Sequence, residues 1–213
     1  MSEWIDISQA LTNDMAHWPG DTPFSYSLTY TKEQTGSVNI GQMTSSLHTG
    51  THIDAPFHFD SNGATIDQLH LDRYIGKAKV INVSHVEAIT PAVLEAYNLK
   101  NVERLLLRTS LPNDPKRFPE QMPHLDPSIA PFLQKIGVYL LGVDMPSVDA
   151  PDSKDLATHH ALHKHGVNIL ENIMLDHVDE GIYELIALPL SIPGADGSPV
   201  RAVLRPMKGS DSK

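Results

Sequence analysis

A chain of 213 residues with a formal net charge of −10 and no cysteine suits one domain with a real core better than two small ones. The acidic balance, with no Lys/Arg-rich cluster, argues against a nucleic-acid partner, and no apolar run approaches the roughly 18 residues of a membrane span. Without thiolates there is neither a disulfide framework nor a sulfur metal site, so any metal must be held by His, Asp and Glu.

The N-terminus, Met-Ser-Glu-Trp-Ile-Asp, has no basic head and no apolar stretch of a secretory leader. Together with the missing cysteines this fits the cytoplasm, which is the expected location. Short runs with alternating or β-branched character then recur: Trp4–Ile7, Tyr26–Tyr30, Ala78–Val83, Leu105–Arg108, Val138–Val143, Tyr183–Leu188 and Val200–Leu204. Between them stand fewer helical stretches. Thr90-Pro91 is a helix start leading into Ala92–Tyr97, and Asp126-Pro127 starts a second, with Pro131 expected to limit its length. Asp155–His165 is a third, stopped by Gly166. Many strands with few helices predict a single mixed α/β domain over residues 1–207, built on a sizeable sheet or partly closed barrel, with a polar tail at 208–213. Two long connections, Asp60–Lys77 and Thr109–His124, have the length of functional lids or subunit contacts.

Twelve histidines are many for this length, and their positions matter more than their number. The segment His48-Thr-Gly-Thr-His52-Ile-Asp54-Ala-Pro-Phe-His58 puts three imidazoles and a carboxylate within eleven residues. In an extended chain their even spacing tends to place them on one face, although Gly50 and Pro56 both invite a bend. A lone histidine on a strand is ordinarily a hydrogen-bonded structural residue. Four potential ligands sharing one face would be costly to bury unpaired, so a metal site is the expectation. His70, His85, His124, His163, His165 and His177 are expected to be solvated or structural.

The segment resembles the signature of the metal-dependent putative cyclase family, whose best-known members are bacterial kynurenine formamidases. His17-Trp18-Pro19-Gly20-Asp21 is similar to that family's N-terminal loop, where the tryptophan lines the substrate pocket. Gly142–Asp149 with Asp152-Ser153-Lys154 looks like the formamidase branch, and the stretches 183–190 and 198–202 resemble the family's closing strands. The family places a metal-binding His twelve residues before a metal-binding Glu, with a Gly at the seventh step. His159, Gly166 and Glu171 meet that spacing. His160 is one residue out of register, and the choice between the two histidines stays open at this level.

The resemblance implies a β-barrel-like mixed sheet flanked by helices, a homodimer, and two divalent metal ions per subunit, zinc or in its place manganese. It implies His48, His52 and Asp54 on the first ion, and Asp54, His159 and Glu171 on the second. It further implies His58 as acid/base and Trp18 against the substrate's aryl ring. The reaction would be hydrolysis of N-formyl-L-kynurenine to L-kynurenine and formate, in tryptophan breakdown, by a metal-bound hydroxide. The alternative for His58 is to orient a ligand carboxylate by hydrogen bonding, without carrying the proton itself. Two rival readings are another hydrolase or dehydratase of the family and a closed structural metal site, against which an additional histidine at the metal speaks. A serine hydrolase is disfavoured, because no Gly-x-Ser-x-Gly elbow is present.

Overall fold

The computed structural model describes residues 3–207, so the expected tail at 208–213 lies outside the described residues. In chain order the strands and helices are β1 (Ile5–Asp6), β2 (Ser25–Tyr30), α1 (Lys32–Thr35), β3 (Ile40–Thr44), β4 (His52–Asp54), β5 (Ile75–Asn82), β6 (Ala88–Ile89) and α2 (Pro91–Glu95). There follow β7 (Arg104–Arg108), β8 (His124–Leu125), α3 (Ile129–Ile136), β9 (Leu140–Val143), α4 (Ala157–Lys164), β10 (Asn168–Glu171), β11 (Gly181–Ile186), β12 (Gly197–Pro199) and β13 (Val203–Pro206).

Nine strands form one sheet in the order β1-β13-β11-β5-β7-β9-β10-β4-β12. The sheet curls into a half-barrel without closing, β1 and β12 being its edges. The middle of it, β5-β7-β9-β10, is parallel. Parallel neighbours need crossovers, and α2, α3 and α4 lie in the three that connect them. Alternation along the buried strands divides the core in two. Leu105, Leu107, Leu141 and Val143 pack with the helical residues Leu94, Ile129, Leu133 and Leu162. Leu106 and Leu140 point the other way, toward Ile7, Ile53, Tyr183 and Leu204. This is the mixed α/β domain with helices flanking a barrel-like sheet.

The helix boundaries show how the sequence signals operate. Pro131 does not shorten α3, because it sits in the first turn, where its missing N–H would have no intrahelical partner. Gly137 ends that helix at φ 87°, and Gly166 follows α4 at φ 70°. Asp60–Lys77 is less of a loop than its sequence suggests, holding two 3-10 turns, Ile66–Gln68 and Leu71–Arg73, before β5 begins.

At the carboxyl end of β9, buried Asp144 accepts hydrogen bonds from Thr109 N (2.8 Å) and Oγ1 (2.7 Å), clasping the end of β7. Burial, opposed by those bonds and helped by the nearby charge of Asp176, pushes Asp144 up to about 7. Its folded value lies above its unfolded one, so the stability it contributes is complete below about pH 4 and is lost as pH rises through 7. Such a shift corresponds to at most about 4 kcal/mol. Urea unfolding at acid and mildly alkaline pH should show stability falling with pH, and Asp144→Asn should flatten the fall. An unchanged slope in the variant would assign the dependence to other groups.

Candidate metal centre

The histidine-rich segment is not one extended strand. Only His52–Asp54 pairs as β4, between β10 and β12. Antiparallel register sets His52 opposite Glu171 and Asp54 opposite Ile169. Directly opposed residues share a face, so the ladder itself brings His52, Asp54 and Glu171 together. His48 enters from the turn before β4, where Gly50 takes φ 68°. Past β4, Pro56 opens a 3-10 turn, Pro56–His58, that carries His58 back over the cluster. His159 comes from the first turns of α4. The neighbouring His160 is exposed and meets the Phe59 ring instead, so His159 is the histidine that reaches the cluster.

Asp54 sits at the centre. Its Oδ1 lies 3.0 Å from His48 Nδ1 and 3.4 Å from His52 Nε2, and its Oδ2 lies 3.4 Å from His159 Nε2. Glu171 Oε2 is 3.2 Å from His52 Nε2, and Oε1 is 3.8 Å from His159 Nε2. His52, Asp54, His159 and Glu171 are each at most 3% exposed. Five nitrogen and oxygen donors thus converge in a space closed to water on most sides.

Electrostatics describe a site made for cations. Burial disfavours charge on His52 and His159, but the carboxylates of Asp54 and Glu171 beside the first, and of Asp149 and Asp54 beside the second, outweigh it and raise both to about 10. Burial also opposes the charge of Asp54, yet its three histidine neighbours hold it well below the usual carboxylate range. Glu171 is raised by burial and by Asp54 beside it. The imidazoles thus favour the charge of Asp54, while burial beside Asp54 disfavours that of Glu171.

The donor set fits a metal. Asp54 Oδ2 is buried with no hydrogen-bond partner among the described residues, and such an atom is costly unless something satisfies it. Sets of ligand atoms within 4.8 Å of one another are His48, Asp54 and His58, and His52, Asp54 and Glu171. Asp54 belongs to both, as a bridging carboxylate would. The grouping differs from the sequence expectation in three ways: His58 joins His48 and Asp54, His52 joins Asp54 and Glu171, and His159 falls in neither set. Imidazole and carboxylate donors without sulfur suit zinc or manganese.

The cluster floors a cleft of about 440 Å³ lined by Trp18, Pro19, Gly20, Asp21, His58, Pro146, Ser147 and Leu156, a volume suited to a small organic ligand. Trp18-Pro19-Gly20-Asp21 forms a turn closed by Asp21 N to Trp18 O at 3.0 Å. Its proline and its glycine at φ 88° are the residues a type II turn favours. Phe118, from the long connection 109–124, packs edge-on against Trp18 with centroids 5.2 Å apart. His58 has a side chain one-third exposed to the cleft. Burial, then the neighbouring His48, lowers its pKa below the ordinary imidazole value.

Several residues of the site were not singled out in the sequence. Asp149 Oδ2 meets His159 Nδ1 at 2.6 Å, and its carboxylate accepts the backbone N–H groups of Thr158 and His159 at the start of α4. Asn172, at φ 56°, donates to Gly50 O, which also accepts from His52 Nδ1 at 2.8 Å. Leu156 adopts the left-handed conformation at φ 43°, costly for a bulky residue, where it faces the cleft. Asp196 contacts His48. Asp149 lies in a stretch singled out as a motif, ten residues before His159; Asp196 carried no signal beyond an Asp-Gly pair. Among the other histidines, His70, His85, His124 and His163 are exposed, His165 bonds Gln134, and His177 donates to Asp6 O.

Residues 5–150 match the family described as Putative cyclase. The chain belongs to this cyclase family. Within it, the chain is 59% identical to the kynurenine formamidase of Bacillus thuringiensis (strain Al Hakam) over 97% of its own length and 99% of that protein's. The kynurenine formamidase of Bacillus cytotoxicus matches at the same identity and coverage. A predicted metal-dependent hydrolase from Bacillus stearothermophilus superposes with a TM-score of 0.81 at 25% identity, covering 96% of this chain and 98% of its own. Isatin hydrolase A from Labrenzia aggregata shares the cyclase fold at a TM-score of 0.82 and 22% identity, covering 97% and 94%. No described helix of this cyclase-family chain is long and apolar enough to cross a membrane.

Proposed function

We propose that the chain hydrolyses N-formyl-L-kynurenine to L-kynurenine and formate, with two divalent ions, zinc or manganese, held by His48, His52, Asp54, His159 and Glu171. The observation that carries this reading is one cleft with four buried donors, His52, Asp54, His159 and Glu171, and the part-buried His48 at its floor, together with an aromatic wall and a solvent-reachable histidine. The near-full-length likeness to the Bacillus formamidases supports the substrate.

The ions, when bound, would supply Lewis acidity, polarising the formyl oxygen and making water acidic enough to ionise near neutrality. His58 takes the proton of the attacking water and delivers it to the aniline nitrogen as the C–N bond breaks. Its lowered pKa leaves it neutral, and so able to accept, around neutral pH. Trp18 packs on the aryl ring and orients the formyl group toward the floor of the cleft. Trp18→Ala is expected to raise KM for the formanilide more than it lowers kcat, because the ring contact is made in ground and transition states alike. A fall in kcat at unchanged KM would place Trp18 in a different role.

The deciding experiment follows kynurenine release from N-formyl-L-kynurenine by the purified protein, with and without a chelator. Activity lost on chelation and restored by zinc or manganese is the expected result. Turnover of isatin-like cyclic amides in preference to the formanilide would keep the site and overturn the substrate.

A homodimer is part of the same proposal. Every residue of β2 and β3 is exposed, including Tyr26, Leu28, Tyr30, Ile40 and Met43. A two-stranded hairpin alone is marginal in water, and apolar exposure on this scale marks a contact surface. Light scattering should give twice the chain mass, and Tyr26→Lys with Met43→Lys should shift it to the monomer. The cytoplasmic placement belongs to this reading too, supported by the cysteine-free sequence.

A further inference from the structure

Each imidazole of the cluster has two ring nitrogens, and only one can face a cation. For His52 the nitrogen turned away is Nδ1, which donates to Gly50 O, and for His159 it is Nδ1, against Asp149. His48 is reversed. Its Nδ1 faces Asp54 at 3.0 Å, and its Nε2 lies 3.0 Å from Oδ2 of Asp196. The same Asp196 oxygen is 3.6 Å from His58 Nδ1, and the His48 and His58 rings lie 3.9 Å apart at 32°.

We propose that Asp196 is a positioning residue that fixes His48 in the tautomer with Nδ1 toward Asp54 and seats the His58 ring beside it. This rests on the reading of His48 as a metal ligand and His58 as the acid/base. A carboxylate accepting from Nε2–H leaves Nδ1 as the unprotonated donor and makes it more basic toward a cation. The carboxylate is held in place by backbone. Asp196 O accepts the Ala55 N–H at 2.9 Å, and the next residue, Gly197, pairs with Asp54 in the β12–β4 ladder. Only glycine fits at 197, since a Cβ there would stand 2.9 Å from His48 Cε1 and 3.1 Å from Ile53 O. The Asp-Gly pair thus delivers a charge to one edge of the imidazole while leaving room for its face. His52, His159 and His48 then share one plan, each held at its far nitrogen by an oxygen: Gly50 O, Asp149 and Asp196 in turn.

The test compares wild type, Asp196→Asn and Asp196→Ala as full-length, zinc-loaded proteins. Zinc affinity is read by competition with a chromogenic chelator. The His48 tautomer is read from long-range proton–nitrogen correlations of the imidazole rings, and kcat and KM are measured at saturating zinc. Asp196→Ala should bind zinc about 10–100-fold more weakly, lose the fixed His48 tautomer, and show lower kcat at little-changed KM. Asp196→Asn keeps an acceptor oxygen without the charge, is close to isosteric, and should fall between. The His52 signals should not move in either variant. Zinc affinity within twofold of wild type in both variants, with the His48 tautomer intact, would overturn the proposal. Weakened zinc binding in proteins that never turn over N-formyl-L-kynurenine, wild type included, would uphold it while removing the substrate assignment.

Discussion

Asp54→Asn should strip the chain of bound metal and of turnover together. The two oxygens of Asp54 reach three imidazoles, and the residue is 3% exposed. An amide removes one negative charge from a place where two buried carboxylates share the compensation of positive charge, and it offers one acceptor where two are in use. Loss of an outer partner of a metal ligand costs about 10–100-fold in affinity, so loss of the shared central ligand should exceed that. Metal content after dialysis, measured by plasma emission beside kynurenine formation, checks both halves. Metal retained at wild-type stoichiometry would take Asp54 out of the ligand set. Turnover retained without metal would overturn the chemistry altogether.

His58→Ala should separate binding from chemistry. Its ring reaches into the cleft from a 3-10 turn held by backbone bonds, His58 N to Ala55 O at 2.9 Å and Phe59 N to Pro56 O at 3.2 Å. Nothing in the core depends on it, so the variant should fold and melt like wild type. As the acid/base it should cost on the order of 10²–10⁴-fold in kcat, with KM nearly unchanged and metal content intact. Added imidazole should restore part of the rate. Because His58 also groups with His48 and Asp54 as a possible ligand set, the metal assay decides between the roles. Metal lost with the ring would make His58 a ligand rather than the proton carrier.

Much of the architecture was legible because it rests on local signals. The apolar runs at 105–108 and 138–143 became the central strands β7 and β9, and the Thr-Pro pair before α2 and the glycine after α4 marked helix ends. What could not be read were the short pairings. β4 and β12 have three residues each and owe their existence to neighbours distant in sequence. The same holds at the site. Spacing nominated His48, His52, Asp54 and His58 and left two candidates in the 159–160 pair. Only the placement of α4 distinguishes a buried His159 from an exposed His160. Even spacing was the wrong reason for the convergence, since alternation links only His52 and Asp54, and backbone bends bring in the other two. Asp149 and Asp196 stayed hidden because a carboxylate that steadies a ring needs only proximity, and proximity leaves no periodicity in a sequence.

The position of β4 also imposes an order of events on synthesis. Its two neighbours in the sheet, β10 and β12, begin at Asn168 and Gly197. When Asp54 leaves the ribosome, neither partner exists. At about 5–20 residues per second, roughly ten seconds pass before the first is made. Throughout that interval the histidine-rich stretch has no strand to dock on, and its ligands cannot form their pocket. Metal capture in the finished geometry is therefore a late step, reserved for chains whose last quarter has emerged, and a nascent chain that stalls earlier carries the recognisable motif without the site.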